Sequence, residues 1–299
     1  MEDGDTGIDH LDQMPTNSHL IMTSLTAGAF AGALAKTTIA PLDRTKIYFQ
    51  TTPTAPFSTR TVLSYLIKTY KTTGFFSLYR GNSATMARIV PYSAIQFASH
   101  EQYKRLLTPT PSTSTHTSRF ICGSLAGVTA QSLTYPLDLC RARLAVSPSN
   151  KYKNLSDVFL KIITKEGPMT LFRGFIPTMI GVVPYAGCSF YTYETCKKCY
   201  REEFGTEASG VVKMGFGAVS GVIGQTSSYP FDIVRRRRQV GVELVEGNLA
   251  RVMVEIARTE GIIKGLYKGL SMNWIKGPVS AGISFSVFDY TSMLLRKYW

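Results

Sequence analysis

Pro41-Leu42-Asp43-Arg44-Thr45-Lys46 returns twice in this chain, as Pro136-Leu137-Asp138-Leu139-Cys140-Arg141 and as Pro230-Phe231-Asp232-Ile233-Val234-Arg235. The copies start 95 and 94 residues apart. A second pattern keeps the same interval: Gly74 to Arg80-Gly81, Glu166-Gly167 to Arg173-Gly174, and Glu260-Gly261 to Lys268-Gly269. One Pro-x-Asp-x-x-base run is an ordinary helix start, with proline early and an acid near the positive end of the dipole. Three at a constant spacing, each followed by the same glycine-closed run, make the chain a single unit of about 95 residues written three times.

Helix geometry gives the element its physical content. Asp43 and Lys46 are three residues apart and share a helix face, as do Asp138 with Arg141 and Asp232 with Arg235. Each proline removes a backbone donor just before the pair, so a kink is expected there unless neighbours repair it. Around a pseudo-threefold axis the acids Asp43, Asp138 and Asp232 and the bases Lys46, Arg141 and Arg235 form a closable ring, the acid of one repeat facing the base of the next.

Composition narrows the class without deciding it. Hydrophobic residues make up 44% of the chain and the mean hydropathy is +0.02, which alone would suit a soluble globule. A spanning helix needs about 20 mostly apolar residues. The charge-free windows at 174–193, 120–137, 214–231 and 20–35 are rich in Gly, Ala, Ser and Thr, as suits helices lining a polar cavity. The net charge is +13, and Arg235 to Arg238 would pass for a nucleic-acid patch. Arg235, however, is the third ring base, and the run ends in Gln239 as the first copy ends in Gln50. No nucleic acid is therefore expected; an anionic substrate and anionic lipid head groups account for the charge. Five cysteines without ligand-spaced histidines imply neither a metal site nor a disulfide framework. There is no Gly-x-x-x-x-Gly-Lys-Ser/Thr loop, and the four histidines are scattered, so a soluble nucleotide-using enzyme is not expected.

These triplicate motifs resemble the mitochondrial carrier family over residues 20–297. The resemblance implies an all-α membrane protein of the mitochondrial inner membrane, with six transmembrane helices in three homologous repeats and short amphipathic helices on the matrix side. A flexible acidic tail at 1–19 then precedes repeats at 20–107, 117–201 and 211–297. Each begins with a helix carrying a Gly-x-x-x-Gly pair, Gly28 to Gly32, Gly123 to Gly127 and Gly217 to Gly221, a spacing that permits close crossing in a membrane. Amphipathic helices are expected near 57–71, 152–164 and 248–259, and even-numbered helices at 82–107, 175–201 and 270–297, with polar connectors at 108–116 and 201–210. The resemblance makes the ring a matrix-side gate braced by Gln50 and Gln239, with Ala145 leaving one brace out. It makes Glu101, Lys104, Glu194, Lys197 and Asp289 a cytoplasmic gate that is one base short, since Ser292 follows Asp289.

The three repeats can be sorted against one another: positions alike in all serve symmetric machinery, and polar positions that differ serve an asymmetric substrate. Seven residues past the glycine opening each even helix stand Arg88, Gly181 and Lys276. Arginine offers a planar fork for phosphate, lysine a point charge, and glycine space for a flat base. In carriers the pair Gly181-Val182 resembles the type associated with adenine-containing substrates, and Tyr185 one turn on could stack on the purine. Lys36, whose equivalents are Gln131 and Gln225, is a further expected phosphate ligand. Gln131, Gln225, Ser227 and Ser228 would hydrogen-bond a pantetheine arm.

Within the family, residues 39–46, 80–86 and 267–274 are most similar to carriers of coenzyme A. The implied substrates are coenzyme A and adenine nucleotides, exchanged by alternating access; a carrier of ATP, ADP or another nucleotide is the alternative. No cofactor is implied. A monomer in a bilayer containing anionic lipids such as cardiolipin is expected.

Overall fold

The computed structural model describes residues 17–107, 116–148, 150–242 and 247–298, and among these there are nine helices and no strand. The first repeat gives α1 (Asn17–Thr51), α2 (Thr59–Thr73) and α3 (Asn82–Leu107). The second gives α4 (His116–Val146), α5 (Leu155–Lys165) and α6 (Phe175–Phe204), and the third α7 (Gly210–Val240), α8 (Leu249–Thr259) and α9 (Leu270–Tyr298). Helix α1 starts at Asn17, so residues 17–19 of the expected tail are helical, while 1–16 and 108–115 lie outside the described residues. Helix α6 runs three residues beyond its expected end, to a left-handed Gly205 that caps it.

The amphipathic helices are set by their caps and by a single apolar stripe. Ser58 and Thr61 form a reciprocal capping box at α2, Asn154 Oδ1 accepts from the Asp157 amide at α5, and Asn248 caps α8. Val158 with Ile162 and Val252 with Ile256, each pair four residues apart, turn inward. There they complete small cores with Leu139 and Leu144 of α4 and with Ile233 and Val234 of α7. In the first repeat the corresponding core is aromatic: Tyr48 stacks on Tyr65 at 4.3 Å between ring centres.

Between each amphipathic helix and the next long helix lies a tight turn that the repeat spacing did not predict. It is 3-10 at Phe75–Tyr79 and Pro168–Phe172, and π at Ile262–Leu266. Gly81, Gly174 and Gly269 follow these turns with φ of 92°, 84° and 83°. A Cβ on Gly174 would lie 2.9 Å from the Arg235 carbonyl, and one on Gly81 would lie 3.0 Å from that of Arg141. Glycine is required there both for the turn and because the helix start is pressed against the next repeat.

The chain divides into two units, Met1–Thr38 with Pro278–Trp299, and Ile39–Gly277. In the second unit α3 packs along α4 and α6 along α7, across the repeat boundaries. The closest approaches use Gly181, whose Cβ would lie 3.0 Å from that of Phe231, and Gly224, whose Cβ would lie 2.9 Å from the Tyr185 carbonyl. A Cβ added to Gly123, Gly127, Gly217 or Gly221 would meet nothing within 4 Å among the described residues, so the close approach that this spacing permits is not made there. In the first unit a Cβ added to Gly28 would meet the Phe288 ring at 4.0 Å. The long helices run on through Pro41, Pro136 and Pro230, and the even ones through Pro91, Pro184 and Pro278.

Candidate functional site: a closed charge ring beneath a cavity

Each ring base reaches the acid of the preceding repeat. Lys46 Nζ lies 2.9 Å from Asp232 Oδ2, Arg141 NH2 pairs with Asp43, and Arg235 NH2 pairs with Asp138. The three pairs close a circuit through α1, α4 and α7. Acid and base sit one turn apart on the same face of each helix, so both are presented to the neighbouring helices, and each base reaches across to the acid of one of them.

The two glutamines belong to two of these pairs. Gln50 Nε2 donates to Asp232 Oδ2 and to the Tyr229 hydroxyl, both at 3.1 Å, and Gln239 Nε2 donates to the Tyr135 hydroxyl at 3.1 Å. Tyr135 and Tyr229 immediately precede the repeat prolines and donate onward to the carbonyls of Arg173 and Lys268. Their rings lie beneath Arg235 and Lys46, 5.9 and 5.1 Å from the cations. Ala145 and Ala40 occupy the corresponding places at the Arg141–Asp43 pair, which therefore has neither brace nor ring.

Below the brace positions a second circuit joins the helix ends. Arg237 Nε donates to the Gln50 carbonyl, Arg44 Nε to that of Ala145 and Arg143 Nε to that of Gln239, each at 3.0 Å. The forks of Arg237 and Arg143 grip Glu260 and Glu166, equivalent residues that each end an amphipathic helix. That hydrogen-bonded fork holds the Glu166 carboxyl below its ordinary range. The basic run Arg235 to Arg238 is thus turned to Asp138, to Gln239 and Asp232, to Glu260 and the Gln50 carbonyl, and to the Gly247 carbonyl, and does not form a surface patch.

Two of the bases singled out by repeat comparison end on the ring acids. Arg88 NH1 lies 3.0 Å from Asp138 Oδ1, while its other nitrogens donate to Thr134 Oγ1 and Gln131 Oε1 and its plane lies over Tyr92. Lys276 Nζ lies 2.7 Å from Asp43 Oδ1. Asp232, facing the repeat in which glycine replaces the base, has Arg236 of its own helix at 3.8 Å instead. Each ring acid therefore faces two cations. Thr134, Tyr135, Tyr229 and Arg236 escaped the sequence reading; a tyrosine before two of the three prolines was the available signal.

Beside the ring, a cavity of about 510 Å³ is lined by Gly181, Val182, Tyr185, Gln225, Phe231 and Asn273, among others. Gly181 is a glycine here because Phe231 packs against it: a Cβ would lie 3.0 Å from the Phe231 Cβ. Of the amides and hydroxyls expected to meet a pantetheine arm, three are already engaged. Gln131 binds Arg88 and Asp138, Ser227 donates to the Pro184 carbonyl, and Ser228 donates to that of Gln225.

Lys36 and Asp289 belong to the other unit, both on exposed positions. In the larger unit Glu101 pairs locally with Arg105 at 3.4 Å, Lys104 and Glu194 are exposed, and Lys197 is half-buried.

Comparison with known proteins decides the family. The family model described as mitochondrial carrier protein matches three times, at residues 17–110, 112–204 and 207–299. This chain is a mitochondrial carrier. It is 52% identical over 292 residues to the mitochondrial coenzyme A transporter SLC25A42 of Danio rerio, covering 93% of this chain and 88% of the relative. The same transporter of Homo sapiens is 52% identical over 290 residues, covering 92% and 89%. Solute carrier family 25 member 16 of Bos taurus is 41% identical over 288 residues, covering 90% and 87%. The carrier is thus a transporter and not an enzyme, a multi-pass protein of the mitochondrial inner membrane. Among the described residues only the stretch Pro168–Phe204 is apolar enough to be recognised as a span by hydropathy. The other long helices bear the ring acids and bases and polar residues of the cavity wall, which lower their hydropathy.

Proposed function

We propose that the carrier imports coenzyme A, and related adenosine 3′,5′-bisphosphates, in counter-exchange for adenine nucleotides, alternating between cytosol-open and matrix-open states around one central site. The coenzyme A transporters at 52% identity support the substrate. The observation that carries the mechanism is that Arg88 and Lys276 rest on Asp138 and Asp43. A substrate phosphate arriving from the cavity competes for those cations. Once it binds them, Asp138 and Asp43 retain one cation each, and the ring loses part of what holds it shut. The substrate thereby loosens the gate ahead of it, and only an anion able to take both cations does so fully.

In this reading Lys36, Arg88 and Lys276 bind phosphates, and Gly181, Val182 and Tyr185 receive the adenine. Asp43, Lys46, Asp138, Arg141, Asp232 and Arg235 form the matrix gate, braced by Gln50 and Gln239. Glu101, Lys104, Glu194, Lys197 and Asp289 form the cytoplasmic gate. The carrier works as a monomer, in contact with anionic lipids. Uptake of labelled coenzyme A into proteoliposomes loaded with ADP, with adenosine 3′,5′-bisphosphate or with no nucleotide tests it. Saturable uptake that requires internal nucleotide is the expected result. ATP uptake exceeding coenzyme A uptake would move the substrate to a simple nucleotide, and uptake into empty vesicles at the same rate would remove exchange.

A further inference from the structure

Two carbonyl oxygens in the wall of the cavity, Gln225 Oε1 and Asn273 Oδ1, are buried with no hydrogen-bond partner. Such an oxygen can only accept, and native proteins leave few buried acceptors unpaired. Of the cations in the same wall, Lys46 Nζ is turned to Asp232 and Arg235 NH2 to Asp138, and Arg235 Nε, itself without a partner, reaches neither oxygen.

Repeat comparison shows how each vacancy arises. Gln225 is the third-repeat equivalent of Gln131, whose Oε1 accepts from the Arg88 guanidinium at 2.6 Å. The residue that would play Arg88 to Gln225 is Gly181, so the planar N–H donor present in one repeat is missing from the next. Asn273, four residues past its opening glycine, stands where the other repeats have Thr85 and Thr178. Those hydroxyls donate back to the carbonyls of Gly81 and Gly174; the Asn273 oxygen cannot donate. Both departures from symmetry open onto one cavity, shared with Gly181, Val182 and Tyr185.

We propose that Gln225 and Asn273 accept the N–H donors of the substrate's adenine 6-amino group and are the residues by which the carrier tells adenine from a 6-oxo purine. The amine takes the place that a guanidinium N–H holds in the neighbouring repeat: a flat, conjugated nitrogen with more than one hydrogen to give. Hypoxanthine presents an oxygen at the same position, leaving both acceptors unpaired and facing a third. The inference rests on the adenine-containing substrate proposed above and adds what reads it.

The test is competition against labelled coenzyme A uptake in proteoliposomes by adenosine 3′,5′-bisphosphate and inosine 3′,5′-bisphosphate. These differ at the 6-position and in the proton on the adjacent ring nitrogen, and they share both phosphates. The wild-type carrier should favour the adenosine compound by about tenfold or more, as sites built to pair a polar group do. Gln225→Leu and Asn273→Leu should each narrow that ratio, and the double variant should bring it near unity. The ratio is taken within one preparation, so a smaller folded fraction leaves it unchanged. For a variant too inactive to assay, thermal stabilisation of the purified carrier by each bisphosphate reads the same preference. Equal competition in the wild type, or an unchanged ratio in the variants, overturns the proposal. So does a loss confined to coenzyme A with the bisphosphate preference intact, which would place the contact on a pantetheine amide. Absence of coenzyme A uptake beside selective stabilisation by the adenosine compound would instead count against the proposed function while upholding this contact.

Discussion

Asp138 is 1% exposed and holds two guanidinium groups, Arg235 from the next repeat and Arg88 from the helix before it. Asp138→Asn keeps its shape and removes its charge, leaving both cations short of a partner at about 1–3 kcal/mol for each lost interaction. The gate-closed state should become less populated and coenzyme A uptake should fall; normal uptake by this variant would remove the ring as a gate. Arg88→Lys keeps a charge near Asp138 but gives up the fork that also reaches Thr134 and Gln131, whereas Arg88→Ala gives up both. Apparent affinity for coenzyme A should therefore fall in the order wild type, Lys, Ala, read from the concentration dependence of initial uptake. Counting from the repeat glycine was enough to single out Arg88 and Lys276. Their resting partners could not be read that way, because which carboxylate a long side chain reaches depends on which helix faces it.

Helices were more legible than the joints between them. The repeat of about 95 residues and the family it resembles place the amphipathic and even-numbered helices to within a few residues, but the tight turns at 75–79, 168–172 and 262–266 are too short to leave a pattern of their own. The Gly-x-x-x-Gly spacing permits a close approach without requiring one, and between α6 and α7 it is Gly181 and Gly224 that make it. The arginine circuit under the gate was invisible because its acceptors are backbone carbonyls, and any residue type supplies one. Its carboxylates give a ranking. Arg237 is 1% exposed and Glu260 15%, against 6% for Arg143 and 36% for Glu166. Breaking a buried pair by removing one charge costs about 3–5 kcal/mol, and less as water gains access. Glu260→Gln should therefore lower the unfolding temperature of the purified carrier more than Glu166→Gln; the reverse order would mean that the α8 end is not the more firmly fastened one.

A carrier must spend time in two states, and the balance between them is set by how well each gate closes. The ring in this structure has three pairs and two braces. In the proposed cytoplasmic gate the sequence supplies Ser292 where a third base would stand. Ser292→Lys should strengthen that side, favour the matrix-open state and slow exchange at saturating coenzyme A; unchanged exchange would mean that the missing base does not set the balance. The arrangement around Ala40 and Ala145 has a further consequence. Two junctions of the ring add a glutamine and a tyrosine to their ion pairs, and the third, where Asp43 meets Arg141 and Lys276, has ion pairs only. As the proposed gate, a closure fastened that way should not dilate like an iris but swing like a door latched at the Asp43–Arg141 junction, with the first and second repeats parting first.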